Sequence, residues 1–143
     1  MSSANQQNAL NALNQYKKVG LHGGIESASP HRLIQMMFEG ALDKIQAAKT
    51  HIENNEIAGK GEQISWAISI IDGLRVSLDK SAGGEIAENL DMLYDYMSRR
   101  LLEANLHTDV TMLDEVAGLI SEIKSAWDVI PPDAAAPQHP TGA

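Results

Sequence analysis

Residues 83–105 read GGEIAENLDMLYDYMSRRLLEAN and contain neither proline nor glycine after the opening pair. Apolar side chains recur along this stretch at steps of four, three, one, three and four residues, at Ile86, Leu90, Leu93, Tyr94, Met97 and Leu101. This spacing places them on one face of an α-helix. The opposite face is mixed, because Tyr96 lies among Asp91, Asp95 and Arg99. The stretch therefore predicts a helix that serves a core on one side and can serve a partner on the other.

The composition is that of a small acidic protein with an aliphatic core. The chain has 143 residues, of which 43% are hydrophobic and only 4% aromatic, which favours one domain of packed helices. Its formal charge of −8 makes nucleic acid and anionic membrane surfaces poor partners. It contains no cysteine, which excludes disulfides and fits the cytoplasm. We find no signal peptide and no apolar run of the roughly 20 residues that a membrane span needs, so we expect a cytoplasmic protein without membrane insertion.

The first firm helix is predicted to begin at Ser29. Serine is a good N-cap, and Pro30 fits the first helical position because its missing N–H costs nothing there. The apolar stripe that follows steps by four, four, four, three and four residues, through Leu33, Met37, Ala41, Ile45, Ala48 and Ile52. The sequence Glu-Asn-Asn at 53–55 is predicted to end the helix.

The second helix is predicted to run from Ile57 or Lys60 to Ser81, where the glycines at 83 and 84 stop it. Its stripe comprises Ile64, Ala67, Ile68, Ile71, Leu74 and Leu78, with Trp66 and Ile70 to the side. The stretch quoted above forms the third helix.

The fourth helix is predicted to be capped by Thr108 or Asp109 and ended by the prolines at 131 and 132. Its apolar residues alternate steps of three and four as in a heptad seam, at Leu113, Val116, Ile120, Ile123, Trp127 and Ile130. Four long helices with short connections predict an all-α fold, an antiparallel four-helix bundle over residues 29–130.

The two ends of the chain are predicted to lie outside this bundle. Residues 1–28 are expected to form a mobile N-terminal segment, in which Leu10, Leu13 and Tyr16 recur at steps of three. This short helical segment is either a frayed end or a displaceable piece docked on the body, a possible groove plug. Residues 131–143 are rich in proline and alanine and are expected to be a disordered tail without a role that we can derive.

No pattern in the sequence indicates catalysis. None of the five histidines lies three residues after a glutamate, as a di-iron bundle requires, and no phosphate-binding loop or nucleophile elbow is found. We therefore expect no enzyme, no metal and no cofactor, although an active site assembled in three dimensions stays open. Met36, Trp66, Ile70 and Tyr96 lie off the main stripes and either pack internally or border grooves that bind amphipathic segments.

Several motifs resemble those of one known family, the flagellar secretion chaperone FliS family. Residues 28–34 (ASPHRLI) and 37–41 (MFEGA) look like its first-helix signature, and the stretch at 84–105 is similar to its most distinctive segment. Residues 115–120 (EVAGLI), with Ala126 and Trp127, match its last helix. The resemblance covers about Tyr16 to Ile130, with four motifs in the same order and spacing.

This resemblance implies a function that the residue patterns alone do not give. It implies a cytoplasmic type III export chaperone that binds the disordered C-terminal segment of flagellin and prevents its premature polymerisation. It also implies delivery of the flagellin complex to the export-gate component FlhA. An anti-sigma factor and a co-chaperone stay open as further partners, and another helical adaptor or secretion chaperone of the same architecture is the alternative function.

The resemblance also suggests candidate partner-binding residues, namely Leu13, Tyr16, Ile71, Leu93, Tyr96, Arg100 and Asn105. Tyr94 lies on the apolar stripe and is expected to belong to the core. Asn105 has an alternative role as a helix C-cap. One of Arg99 and Arg100 is expected to pair with a carboxylate four residues away, which leaves the other to face a partner.

Overall fold

The computed structural model describes residues 28–131, which form four α-helices and, within that range, no β-strand. The helices are α1 (Pro30–Glu53), α2 (Ile57–Val76), α3 (Lys80–His107) and α4 (Val110–Asp128). The predicted all-α fold is thereby confirmed. The predictions for Leu13, Tyr16 and the Pro/Ala-rich tail fall on residues outside the described range.

Neighbouring helices run antiparallel around the bundle. Lys60 near the start of α2 contacts Asn105 near the end of α3, whereas Arg75 at the end of α2 contacts Asp91 in the first half of α3. Helix α1 packs on α2 and α4, and α3 also packs on α2 and α4. The helices therefore form the predicted up-and-down bundle, with α1 and α3 on opposite corners.

The core is aliphatic, as the composition indicated, with two aromatic side chains at its centre. Phe38 and Tyr94 are both fully buried, which confirms the prediction that Tyr94 belongs to the core. Most of each predicted stripe is buried with them, including Met37, Ile45, Ile64, Leu74, Met97, Leu101, Leu113, Val116 and Ile120.

Two stacked aromatic rings connect the start of α1 to the end of α4. The rings of His31 at the start of α1 and Trp127 at the end of α4 are stacked, with centroids 4.9 Å apart. His31 Nε2 lies 2.7 Å from the carbonyl oxygen of Trp127, and Trp127 Nε1 donates to the carbonyl oxygen of His31 at 3.0 Å. The reciprocal hydrogen bonds and the stacking fix α4 against α1 where both helices are only one turn from their ends.

Polar side chains start three of the four helices. Ser29 Oγ accepts from the N–H of Arg32, Asp79 accepts from the N–H of Ala82, and Asp109 accepts from the N–H groups of Thr111 and Met112. The cap predicted at Ser29 is confirmed, and of the two candidates Thr108 and Asp109, it is Asp109 that caps the fourth helix. Each cap satisfies an N–H group that has no partner within its own helix.

The predicted boundary between the second and third helices is wrong. Helix α2 ends at Val76 rather than Ser81, and α3 has already begun at Lys80 because the Asp79 side chain caps it. Gly84 then interrupts α3 with φ 54° and ψ −128°, a conformation that glycine adopts without steric cost. The glycine pair therefore kinks the start of one helix instead of ending another.

Of the two roles left open for Ile70, internal packing is the one observed, because this side chain is fully buried. Ile70 follows Trp66 by one turn, and the Trp66 ring contacts Lys44 of α1. A different expectation fails. Ile86 was placed in the core but is 63% exposed. Since Ile86 precedes Met97 by 11 residues, or about three turns, it points to the same side as this buried residue without being covered.

The residues at the end of α3 also differ from expectation. The helix continues past Asn105 to His107, and its C-cap is Thr108 in the left-handed conformation with φ 50°. The C-cap role considered for Asn105 is therefore wrong. Within the described range, no helix combines the length and apolar character that crossing a lipid bilayer would require.

Candidate partner-binding surface

The candidate residues of α3 lie on two sides of that helix. Tyr96 and Arg100 face α4, since both bond to Glu115, and Leu93 precedes Tyr96 by about one turn. Asn105 faces α2, where its backbone oxygen accepts from Lys60. The structure thus brings together three of the predicted residues and places the fourth on another surface.

Glu115 joins the two polar candidates into a cluster that we call the Glu115 clamp, formed by Tyr96, Arg100 and Glu115. The Tyr96 hydroxyl donates to one carboxylate oxygen, and Arg100 Nε donates to the other at 2.9 Å. Arg100 also lies 3.8 Å from Glu103. Because Arg99 pairs with Asp95 at 3.0 Å, both adjacent arginines are engaged, and the expectation that one of them is free is wrong.

The clamp changes the proton affinities of its members in a consistent direction. The hydrogen bond from Tyr96, followed by that from Arg100, holds the pKa of Glu115 below its ordinary value. The same bond to the carboxylate raises the pKa of the Tyr96 hydroxyl, because removal of its proton would place two negative charges side by side. At neutral pH the cluster is therefore a carboxylate held by a neutral phenol and a guanidinium.

Ile71 and Asn105 occupy different environments. Ile71 is fully buried within the core, so it presents no surface to a partner in this conformation. The Asn105 side chain is half-buried and lies beside Gly61, where a Cβ would be 3.8 Å from its Oδ1. Among the described residues, the Asn105 side-chain amide therefore lies next to α2 without a hydrogen bond.

A second polar cluster links α2 and α3 near the kink. Arg75 donates to Asp91 at 2.6 Å and to Asp95 at 3.1 Å, and Lys80 lies 3.2 Å from Asp91. The hydrogen bond from Arg75 lowers the pKa of Asp91. Burial raises the pKa of nearby Asp72, which accepts a hydrogen bond from Ser98. These contacts fix the start of α3 after its glycine kink.

Among the Lys, Arg, Asp and Glu side chains of residues 28–131, only acidic ones lack a partner. Each lysine and arginine in residues 28–131 has a contact: an ion pair, the ring of Trp66 for Lys44, or the end of α3 for Lys60. By contrast, six carboxylates in that range have no ion pair or hydrogen bond, namely Asp43, Glu53, Glu62, Glu85, Glu88 and Glu122. A partner therefore meets unneutralised acidic groups, whereas the basic groups are already engaged.

Large apolar side chains are exposed between these charges. Eight of them in the described range are at least 39% exposed, namely Ile57, Trp66, Val76, Ile86, Met92, Leu102, Leu106 and Val129. The sequence did not predict that most of these side chains lie at the surface. Glu115 was noted only as part of a sequence motif, and no contact was predicted for it. No three His, Asp or Glu side chains in the described range are grouped to hold a metal ion.

Comparisons with known proteins identify the family. The family model described as "Flagellar protein FliS" matches residues 12–134. The chain is 49% identical over 120 residues to the flagellar secretion chaperone FliS of Salmonella typhimurium, covering 83% of this chain and 89% of that protein. It is 47% identical over 122 residues to the flagellar secretion chaperone FliSB of Pseudomonas aeruginosa, covering 85% and 97% respectively.

The similarity extends to a more distant relative. The flagellar secretion chaperone FliS of Bacillus subtilis is 35% identical over 103 residues, which cover 72% of this chain and 76% of that protein. The resemblance that we drew from the sequence motifs is thereby confirmed, and the chain belongs to the FliS family of flagellar proteins.

Proposed function

We propose that this protein is a cytoplasmic flagellar export chaperone that binds the C-terminal segment of flagellin. In this role it keeps the segment from polymerising prematurely and assists delivery of the complex to the export-gate component FlhA. The observation that carries the proposal is the family match over residues 12–134, shared with relatives named flagellar secretion chaperones. The role requires binding and release, with no chemical step.

The surface of the bundle supports binding of a long apolar segment. Its exposed large apolar side chains occur on α2, on α3 and just after the end of α4, rather than in one compact patch. A disordered segment that folds on binding can follow such a distributed surface, although its ordering offsets part of the interaction energy. Helical bundles bind amphipathic segments in this way through grooves between their helices.

The candidate contacts on α3 have different roles in this proposal. Leu93 supplies half-buried apolar surface, and Tyr96 offers its ring while its hydroxyl remains bonded to Glu115. Arg100 is held by Glu115, so flagellin meets it as part of the clamp rather than as a free cation. Asn105 offers its open amide to a peptide backbone along α2 and α3. Ile71 is buried in the core and contributes through packing rather than by direct contact with flagellin.

The N-terminal residues Leu13 and Tyr16 belong to the same proposal as a removable cover of the binding surface. Deletion of residues 1–18 is then expected to leave flagellin binding intact or tighter. It should also make the free protein self-associate more, because uncovered apolar surface aggregates. Analytical ultracentrifugation and binding titrations measure the two effects. Loss of flagellin binding would instead make the segment part of the site.

The decisive experiment compares two flagellins. Purified protein is titrated with full-length flagellin and with flagellin that lacks its C-terminal segment, and binding is measured by isothermal titration calorimetry. We expect a complex with the first and none with the second. Equal binding of both flagellins, or of neither, would contradict the proposed function.

A further inference from the structure

A second heptad pattern runs along α3 on the side opposite the core. Steps of four, three, four, three and four residues join six positions, which we call the outer α3 seam: Glu88, Met92, Asp95, Arg99, Leu102 and Leu106. At about 100° per residue, the centre of this seam lies about 150° around the helix from the buried stripe of Tyr94, Met97 and Leu101. Alternating steps of four and three are typical of a helix that packs along its length against another helix.

The three large apolar members of the outer α3 seam are left largely uncovered by the other described helices. Met92 is 63% exposed, Leu102 is 62% exposed and Leu106 is 78% exposed. Because these side chains share one side of α3, they extend over about 21 Å of the helix surface from Met92 to Leu106. Apolar groups of this size at heptad spacing indicate a surface that packs against a further helix.

Two opposite charges occupy the centre of the outer α3 seam. Arg99 Nε donates to Asp95 at 3.0 Å, and the two side chains remain 67% and 41% exposed. Arg75 of α2 also donates to Asp95 at 3.1 Å, which holds this carboxylate in place. The acidic residue precedes the basic one along the chain, so a helix of the same sequence that runs in the opposite direction presents the reverse order of charge.

An antiparallel second copy of α3, in a register centred at the level of Met97, matches every position of the seam. Its contacts occur twice by symmetry and are Asp95 with Arg99, Met92 with Leu102, and Glu88 with Leu106. The residues that flank the seam also meet neutral partners, namely Asn89 with Glu103, Asp91 with Asn105, and Tyr96 and Ser98 each with its own copy. In this register no contact between residues 88 and 106 of the two copies places like charges opposite each other.

Other arrangements of two copies match less well. A parallel pair would place Asp95 against Asp95 and Arg99 against Arg99, and like charges in contact repel. A shift of the antiparallel register by one heptad would place Met92 opposite Asp95 or Asp109, depending on the direction of the shift. The charge order and apolar spacing of the seam therefore select one register.

We propose that the outer α3 seam is a self-association surface, through which two copies of this chain pair as an antiparallel dimer with two-fold symmetry. The partner is a second copy because the seam is complementary to itself in both charge and apolar spacing. Asp95 and Arg99 of each copy form a group of four charges at the centre, and Met92 and Leu102 pack on either side of it. The inference goes beyond the proposed function, since it concerns the free chain and needs no export substrate.

Sedimentation equilibrium of the full-length chain tests whether the dimer forms. The average mass should rise with concentration toward twice the 15.5 kDa of a single chain, with a dissociation constant of about 100 μM or lower. A mass that stays at 15.5 kDa up to about 300 μM would overturn the inference.

Two charge reversals test the register. Asp95→Arg places arginine opposite Arg99 of the second copy, and Arg99→Asp places aspartate opposite Asp95, so each variant alone should self-associate at least about ten-fold more weakly than the wild type. An equimolar mixture of the two variants should associate again, because every central contact between the two different copies then joins opposite charges. Circular dichroism should show that both variants retain their helices.

Asp43→Arg is the matched control for Asp95→Arg. It changes the net charge equally at an exposed, unpaired carboxylate on α1 and should change the dissociation constant less than about three-fold. Equal effects of the two aspartate variants would reduce the association to bulk charge. That result, or a mixture of Asp95→Arg and Arg99→Asp that associates no better than either variant alone, would overturn the proposed interface.

A pair of apolar substitutions tests the apolar part of the seam. Leu102→Ser removes a member of the seam, whereas Ile86→Ser removes an equally exposed side chain of the same helix that lies outside it. Leu102→Ser should weaken self-association at least about ten-fold, because each dimer loses two leucine contacts, and Ile86→Ser should change it less than about three-fold. Equal weakening by the two variants would place the dimer contact elsewhere and refute the proposal.

Discussion

Replacement of Lys60 by methionine should destabilise the bundle far more than its position near a helix start suggests. Lys60 is only 5% exposed, and its ammonium donates to the carbonyl oxygen of Asn105 and to the hydroxyl of Thr108, both at 2.9 Å. The last carbonyls of α3 have no partner within their helix and carry partial negative charge. Lys60 thus caps α3 from the neighbouring helix.

The size of the effect follows from these contacts. A hydrogen bond that involves a charged group contributes about 1.5–3 kcal/mol, and a cation at a helix C-terminus adds about 0.3–1 kcal/mol. Methionine fills a similar volume and regains about 1–2 kcal/mol through its buried apolar surface. The two hydrogen bonds and the helix-end interaction together exceed this gain, so we expect Lys60→Met to lower the free energy of unfolding by about 2–3 kcal/mol.

Urea denaturation followed by circular dichroism measures this loss, with an expected midpoint shift of about 1 M. Lys44→Met is the matched control, because Lys44 Nζ contacts only the ring of Trp66, which is 41% exposed. Its loss should stay near 0.5 kcal/mol, the value typical of an exposed cation–π contact. If Lys60→Met changed the free energy of unfolding by less than about 0.5 kcal/mol, the capping role assigned to Lys60 would be refuted.

Two further predictions use pairs of variants in the same denaturation assay. The pKa of Asp91 is lower in the folded protein than its ordinary value of about 4. The stability that Asp91 contributes is therefore present above about pH 4 and is lost as the pH falls through the lower folded-state pKa. Asp91→Asn should thus reduce the loss of stability that the wild type shows between about pH 5 and 3. The pKa of Asp72 is raised by burial, so its ionised form destabilises the folded protein at pH 7. Asp72→Asn should leave the protein equally or more stable at pH 7. A clear decrease in the free energy of unfolding at that pH would contradict the role of burial. Gly61→Ala should stabilise α2 by about 0.5–1 kcal/mol, because its Cβ would make only ordinary contacts. Gly59→Ala should lack this gain, since its Cβ would lie 2.5 Å from His51 Nδ1, and equal effects of the two glycine variants would contradict this geometry.

The sequence predicts the helices well because their signals are local. Ser29 and Asp109 lie next to the N–H groups that they cap, and Tyr94 lies within a stripe that only a helix explains. Such features depend on residues within a few positions of one another, where spacing and side-chain chemistry decide the outcome. The four helices and their antiparallel order follow from these signals and the short connections.

The glycine pair shows where local signals become ambiguous. A glycine that follows an apolar stripe is a common end of a helix, but it also permits a kink within one. The deciding interaction is the Asp79 side chain, which starts α3 before the glycines are reached. Composition and periodicity give both outcomes similar support, so the boundary could be settled only by the folded chain.

The candidate surface was harder to predict because its contacts join distant residues. Arg100 has a carboxylate within one helical turn at Glu103, yet its closest contact is Glu115, 15 residues away on α4. Periodicity identifies the side of a helix but not the residue that a neighbouring helix presents there. The exposure of Ile86 was missed for the same reason, since its position in the stripe is correct and only the cover is absent.

The Glu115 clamp joins α3 and α4 outside their buried apolar contacts. Glu115 accepts directional hydrogen bonds from Tyr96 and Arg100, and these add to the packing between the two helices. Because these bonds lower the pKa of Glu115, the carboxylate remains ionised at neutral pH, and the spacing of the two helices does not depend on a bound partner. The surface is therefore preorganised, which limits the conformational cost of binding to the partner's own folding.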